Sequence, residues 1–121
     1  DIPLWLYIVA MVIPGNAILL IRSFAEHRAR ADVNERTTTV EGAWLLGPLF
    51  LFNNLHSLHH AEPGLPWYRY NARYRARREG LLAENGGQVY STYFEVARRF
   101  LFRMHDQPQH PLGRAPSQRA A

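Results

Sequence analysis

The sequence predicts an all-α fold: a fragment of an integral membrane protein with one transmembrane helix, a short interfacial or re-entrant helix, and cytoplasmic amphipathic helices. Three features carry this prediction. A run of 20 uncharged residues (2–21) opens the 121-residue chain, a second apolar run (42–52) follows, and the remainder shows helical periodicity with many arginines. The chain contains no cysteine, which excludes disulfides and thiolate metal sites.

The first apolar run, residues 2–21, is long enough to cross roughly 30 Å of hydrocarbon. Trp5 and Tyr7 lie near one end of it, as aromatic residues do at membrane interfaces. Pro14 predicts a kink, because proline removes one helical hydrogen bond. A buried helix of a soluble protein is the alternative, but such helices rarely stay uncharged over this length.

Arginines follow the first run and orient it: Arg22, Arg28, Arg30 and Arg36. By the positive-inside rule, this side of the membrane is cytoplasmic. We expect the helix to continue over residues 23–30 and a loop to occupy residues 31–40.

Because the chain opens inside an apolar segment without an initiating methionine, we also expect it to be the C-terminal part of a longer protein.

The second apolar run, residues 42–52, is too short to span a bilayer. We therefore expect an interfacial or re-entrant helix there, kinked at Pro48. Pro63 and Pro66 should end the helix that follows, because proline blocks helical continuation and restricts the residue before it.

Three histidines follow this run at the spacing i, i+3 and i+4: His56, His59 and His60. In a helix this spacing places the imidazoles on one face, which Asn53 joins one turn earlier, whereas Asn54 and Ser57 point away. Neutral imidazoles on one stripe suit a transition metal, and an all-imidazole site suits iron, copper or zinc. The alternative is a surface or structural histidine cluster. His27 is isolated in the sequence, and spacing alone does not mark it as a ligand.

The segment 67–78 interleaves aromatic residues with five arginines. Three interpretations fit this composition: nucleic-acid binding, a cytoplasmic helix lying on anionic lipid, and a solvated face packed on its own domain. One helical face is formed by Tyr70, Tyr74, Leu81 and Leu82. The sequence Asn85-Gly86-Gly87 predicts the end of this helix.

Thr92-x-x-Glu95 forms a capping box and predicts the start of a last helix. Residues 105–121 are rich in Pro, Gln, Gly, Ser and Arg and predict a disordered tail, so the folded domain is expected to cover residues 1–104. Within that tail, His105 and His110 are interpreted as surface residues.

From residue 53 to residue 68 the chain reads Asn-Asn-Leu-His-x-x-His-His-x-x-Pro-x-x-Pro-Trp-Tyr. This stretch resembles the last histidine box of the membrane fatty acid desaturase superfamily, which includes acyl-lipid desaturases, carotenoid ketolases and hydroxylases, and alkane hydroxylases. Residues 23–28 (Ser-Phe-Ala-Glu-His-Arg) resemble the single-histidine motif that some members place between their second and last boxes. The resemblance runs from about Leu4 to Pro111 and is greatest to bacterial members.

The resemblance implies an enzyme of the bacterial inner membrane that holds two iron ions on the cytoplasmic side and uses O2 as co-substrate. The implied iron ligands are His27, His56, His59 and His60, and no catalytic residue is implied beyond them. Asn53 is an implied partner of a ligand or of a metal-bound water. The implied partners are an acyl-lipid or acyl-carrier substrate, a ferredoxin-type or cytochrome-type electron donor and membrane lipid, with no nucleic acid. Trp44, Phe50 and Phe52 would line the substrate tunnel or contact lipid.

The sequence departs from the superfamily because its first box (HxxxH) and second box (HxxHH) are absent. The resemblance therefore implies that upstream helices of the whole protein supply the missing ligands and that this chain alone is inactive. The implied reaction is the O2-dependent insertion of a double bond into an acyl chain. Hydroxylation or ketolation of a hydrocarbon or carotenoid, and a non-enzymatic membrane-surface or nucleic-acid-binding module, remain alternatives.

Overall fold

The computed structural model describes residues 1–107 and residue 111. The described chain is mostly helical and contains one small sheet. Four helices position the site. They are the long helix (Leu4–Glu26), the histidine helix (His56–Ala61), the arginine helix (Tyr70–Glu84) and the C-terminal helix (Tyr93–Phe100). The remaining elements are a helical turn Leu46–Leu49, 3-10 turns Asn34–Arg36 and Trp67–Arg69, and strands β1 (Thr39–Val40) and β2 (Val89–Tyr90).

The long helix is the part of the described chain that is long and apolar enough to cross a membrane. Its 23 residues span about 35 Å at 1.5 Å per residue. Its side chains are largely exposed, and burial begins only at Ala25 and Glu26. The prediction of one long apolar helix from the first run is therefore confirmed.

A π-helical stretch, Ile8–Val12, interrupts the long helix just before Pro14. Proline cannot donate a backbone hydrogen bond, so a wider turn is expected on its N-terminal side. The side chain of Asn16 donates to the carbonyl of Val12 at 2.8 Å. The helix ends at Glu26 rather than continuing to residue 30, because His27 turns extended and pairs with Thr37 in an antiparallel bridge.

Two short strands correct the all-α prediction and the predicted loop over residues 31–40. Strands β1 and β2 pair in parallel, with Thr39 opposite Val89 and Val40 opposite Tyr90. Residues 37–40 read Thr-Thr-Thr-Val, which favours extended backbone, but two residues are too few to show an alternating pattern. An isolated bridge from Thr39 to Leu55 ties this sheet to the start of the histidine helix.

The second apolar run is not the 11-residue helix that the sequence predicts. Only Leu46–Leu49 is helical, and turns follow it up to the histidine helix. Leu51 and Phe52 adopt the left-handed region, with φ of 51° and 58°, which costs a side-chain-bearing residue roughly 1–2 kcal/mol. The backbone N–H of Phe52 donates to the carbonyl of Gly47 at 2.7 Å, so the chain reverses here instead of continuing as a helix.

Two small apolar clusters hold the site in place. The first packs the histidine helix against the arginine helix and consists of Leu55, Leu58, Tyr70, Tyr74 and Leu81. The second joins the end of the long helix, the sheet and the C-terminal helix and consists of Ala25, Val40, Tyr90 and Val96. The clusters thereby fix the two chain segments that carry the site histidines.

Both predicted helix boundaries in the C-terminal half are confirmed. Thr92 caps the C-terminal helix by accepting from the backbone N–H of Glu95 at 3.1 Å. The Glu95 carboxylate reaches back to the N–H of Ser91 at 2.6 Å. The arginine helix ends at Glu84, and Gly86 and Gly87 take positive φ directly after it.

Candidate metal centre

Two histidines of the histidine helix and one from a distant segment bring one ring nitrogen each into a single cluster. The Nε2 atom of His56 lies 3.0 Å from Nε2 of His27 and 3.1 Å from Nε2 of His60. The three ligand atoms all lie within 4.8 Å of one another. The convergence of His27 with the histidine helix, expected from the resemblance, is therefore present in the fold.

The local fold explains why these three side chains meet. His56 and His60 are four residues apart in one helix and share a face. His27 lies just beyond the long helix in extended conformation, held by its bridge to Thr37. The next residue, Arg28, donates to Asp106 at 2.9 Å, which anchors the segment that carries His27.

Polar groups lie behind two of the three rings. His27 donates from Nδ1 to the carbonyl of Ser23 at 3.1 Å, and in a neutral ring this leaves the lone pair on Nε2. The Nδ1 atom of His56 lies 3.3 Å from Oε2 of Glu26 but is not aligned with it as a hydrogen bond. A metal bound at Nε2 of His56 would require the ring proton on this Nδ1, next to the carboxylate.

The spacing of the ring nitrogens fits a metal ion. Two ring nitrogens at this distance either share a proton in a hydrogen bond or bind a common cation. Nitrogens that bind one metal at about 2.0–2.1 Å lie about 2.8–3.0 Å apart at right-angled geometry and about 3.3–3.4 Å apart at tetrahedral geometry, a range of about 2.8–3.4 Å. The observed separations of 3.0 and 3.1 Å fall within that range. The set of imidazole donors suits iron, copper or zinc.

His59, the fourth predicted ligand, turns away from this cluster. Its Nδ1 lies 2.9 Å from the hydroxyl of Tyr70 in the arginine helix. Neighbouring residues in a helix differ by about 100° around the axis, so His59 and His60 cannot both aim at the point that His27 occupies. The ring of His59 stacks on that of His56 at 5.6 Å, and its role as a ligand stays a prediction.

Glu26 is the site residue that the sequence analysis missed. Its carboxylate is fully buried, accepts from the Tyr93 hydroxyl at 2.8 Å and accepts from Nε of Arg22 at 2.9 Å. A buried carboxylate needs such partners, because desolvation of an unpaired charge is costly. The available signal was a glutamate directly before His27 at the end of an apolar helix.

Burial favours the neutral form of the three imidazoles on the histidine helix. It lowers the pKa of His56 to about 3, and the neighbouring histidines lower it further. Burial also lowers the pKa of His59 and of His60. Neutral imidazole is the form that binds metal, so these side chains need not lose a proton to become ligands at neutral pH.

Polar contacts attach the other face of the histidine helix to β1. The hydroxyls of Ser57 and Thr39 lie 2.7 Å apart, and the Asn54 amide donates to the carbonyl of Val40 at 2.7 Å. Ser57 therefore points away from the histidine face, as predicted. Asn53 and Asn54 both lie in the turn before the helix rather than on one of its faces, and the role of Asn53 beside a ligand stays a prediction.

The three aromatic residues proposed for a tunnel or for lipid contact lie in different surroundings. Trp44 is 83% exposed. Phe50 is buried and packs edge-on against Tyr93 with ring centres 5.7 Å apart. Phe52 stacks on Trp67 at 6.2 Å. Trp44 is thus exposed, whereas Phe50 packs against Tyr93, the hydrogen-bond partner of Glu26. The roles of these residues in a tunnel or in lipid contact stay predictions.

Ion pairs within the fold neutralise much of the arginine helix. Arg73 and Arg77 both donate to Glu62, at 2.9 and 2.6 Å, and Glu62 is the residue that ends the histidine helix. Arg78 donates to Glu41 at 2.5 Å. Of the three interpretations of this segment, these pairs favour a face packed on its own domain over one that binds nucleic acid or lipid.

His105 is not the surface residue that the sequence predicts. Its side chain is only 6% exposed and packs between Phe24 and Phe100, each with ring centres 4.5 Å away. The prediction was wrong because the aromatic partners come from two distant helices. His110 lies outside the described residues, and the disorder predicted for residues 105–121 stays a prediction.

A comparison with protein families identifies the family of the chain. The model of the family described as Fatty acid desaturase matches residues 1–94, which include the three clustered histidines, His59 and Tyr93. No curated protein and no solved structure gives a significant match.

Proposed function

The chain belongs to the fatty acid desaturase family, and from that premise we propose that it is the C-terminal part of a membrane diiron acyl-lipid desaturase. The proposed reaction inserts a double bond into an acyl chain with O2 and with electrons from a ferredoxin-type or cytochrome-type donor. Iron held by the histidines would supply, by activating O2, the oxidising power that removal of hydrogen from an unactivated methylene requires.

One observation supports the proposal most strongly: three Nε2 atoms converge, while the Ser23 carbonyl and the Glu26 carboxylate lie behind two of the rings. His27, His56 and His60 would hold one iron ion. His59, held by Tyr70 on its own side of the helix, would serve a second ion together with histidines from upstream boxes.

The remaining site residues orient the ligands and exclude water. Glu26, anchored by Tyr93 and Arg22, holds the His56 ring and its tautomer from behind. The apolar clusters on both sides keep the histidine helix fixed relative to the end of the long helix. Such fixed orientation lets the ligands bind without a large loss of side-chain entropy.

The proposed location is the bacterial inner membrane, with the histidines on the cytoplasmic side. The exposed apolar surface of the long helix supports a membrane span. The histidines lie at the end of that helix where the arginines follow, and the positive-inside rule assigns this end to the cytoplasm.

The test compares two variants of the protein that carries this chain together with its upstream boxes. His60→Ala removes an exposed ligand and should lower both the iron content and the yield of unsaturated acyl products. The matched control Asn71→Ala removes an exposed polar side chain of the arginine helix, away from the cluster, and should change neither. Unchanged iron in His60→Ala would refute the ligand assignment, and an oxygen-containing product would replace the desaturase with a hydroxylase or ketolase.

A further inference from the structure

The C-terminal helix carries an apolar stripe that the fold leaves uncovered. Its inner face is buried through Val96, which packs with the end of the long helix and the sheet. Phe94 and Leu101, seven positions apart, are 77% and 70% exposed, and exposed Ala97 lies between them. This spacing places the three side chains on one outer stripe of the helix.

The stripe continues onto the last turns of the long helix. Leu20, Ile21 and Phe24 face the C-terminal helix across an apolar hollow of about 370 Å³, of which Leu101 forms one wall. Leu20 is itself 68% exposed. The end of the apolar run and the outer stripe therefore form one continuous apolar surface.

Positive charge borders this surface. Arg98 follows Phe94 by one turn on the flank of the stripe and is exposed. Exposed Arg103 follows the helix, whereas Arg99 is paired with Glu95 at 2.5 Å. Apolar side chains bordered by exposed arginines are typical of a helix that lies in the boundary between lipid headgroups and acyl chains.

We propose that the stripe of Phe94, Ala97 and Leu101 rests on an anionic phospholipid surface beside the emerging end of the long helix. The inference rests on the membrane location proposed above and adds a second membrane contact. This contact would lie close to the site, because Tyr93 of the same helix donates a hydrogen bond to Glu26. The arginine helix, which the sequence also offered for this role, has much of its charge committed to Glu62 and Glu41.

The absence of cysteine from the sequence permits a direct test with single spin labels on the full chain in lipid vesicles. Ala97→Cys places a label on the stripe, Leu20→Cys places one on the long helix, and Glu79→Cys places one on the exposed side of the arginine helix. In vesicles that contain phosphatidylglycerol, labels 97 and 20 should collide more often with O2 than with a water-soluble nickel chelate. Label 79 should show the reverse.

Two further variants test separately the apolar and the charged side chains of the proposed lipid contact. Replacing Phe94 and Leu101 by serine should move label 97 into water, and because both side chains are exposed, the fold should be retained. Arg98→Gln, or vesicles of phosphatidylcholine alone, should reduce the immersion of label 97 and leave label 20 unchanged.

The outcomes separate this inference from the proposed function. Label 97 in water with label 20 in lipid would overturn the inference alone, whereas label 20 in water would overturn the membrane location as well. Immersion that is equal in phosphatidylcholine would overturn the anionic surface. Spectral broadening at label 97 that disappears on dilution with unlabelled protein would assign the stripe to a second copy of the chain and overturn the inference.

Discussion

Replacing Glu26 by glutamine tests whether the buried carboxylate orients the metal ligand His56. The substitution keeps the shape of the side chain and an oxygen that accepts from Tyr93, but it removes the carboxylate group that lies 3.3 Å from Nδ1 of His56. Loss of a carboxylate partner behind a ligating histidine typically costs 10–100-fold in metal affinity. That loss corresponds to about 1.4–2.7 kcal/mol. Tyr93→Phe, which leaves the carboxylate in place, should give a smaller loss in the same direction.

The assay is a titration of the full chain in detergent micelles with Co²⁺, in competition with a coloured chelator. Glu79→Gln removes an exposed carboxylate from the arginine helix and serves as the matched control. Circular dichroism confirms that each variant remains helical. A folded Glu26→Gln protein that binds Co²⁺ as tightly as the control would refute the role assigned to this carboxylate.

Three further predictions concern the frame around the site. Gly42→Ala should destabilise the chain by about 1–3 kcal/mol in denaturant titration, since an added Cβ would collide with the backbone carbonyl of Ser91. An unchanged free energy of unfolding would show that the segments around Gly42 and Ser91 can move apart and would contradict this prediction. Leu51→Gly should stabilise it by about 1 kcal/mol by relieving the left-handed conformation of an exposed leucine, and a loss of stability would contradict this. The hydrogen bond from Arg78 holds the pKa of Glu41 below its ordinary value of 4.5, so the stabilisation from this pair is present above pH 4.5 and is lost as the pH falls through the lower, folded-state pKa. Glu41→Gln should therefore flatten the acid side of a Tm-against-pH profile, and an unchanged slope would contradict the pairing.

Features with a local sequence signal were predictable. The long helix follows from 20 uncharged residues, and the shared face of His56 and His60 follows from a spacing of four. The capping box at Thr92 likewise specifies its own geometry within four residues. In each case the residues that interact are neighbours along one helix, so periodicity alone reveals them.

Features that depend on tertiary contacts were missed. Glu26 is a site residue because Tyr93 and His56 converge on it from distant segments, and nothing in its local sequence states this. His59 shares the motif with His60, yet its direction is set by Tyr70 in another helix. His105 is enclosed by aromatic rings from two helices although its neighbours in sequence resemble a tail.

The proposed metal centre requires that one imidazole from the end of the long helix and two from the histidine helix bind a single metal ion. X-ray absorption at the iron edge, measured on the full chain loaded with ferrous iron in micelles, tests this most directly. We predict a saturable site whose spectrum shows scattering from at least three imidazole rings and loses one ring in His60→Ala. Iron that binds equally well, with the same spectrum, after His27, His56 and His60 are all replaced by alanine would contradict the account.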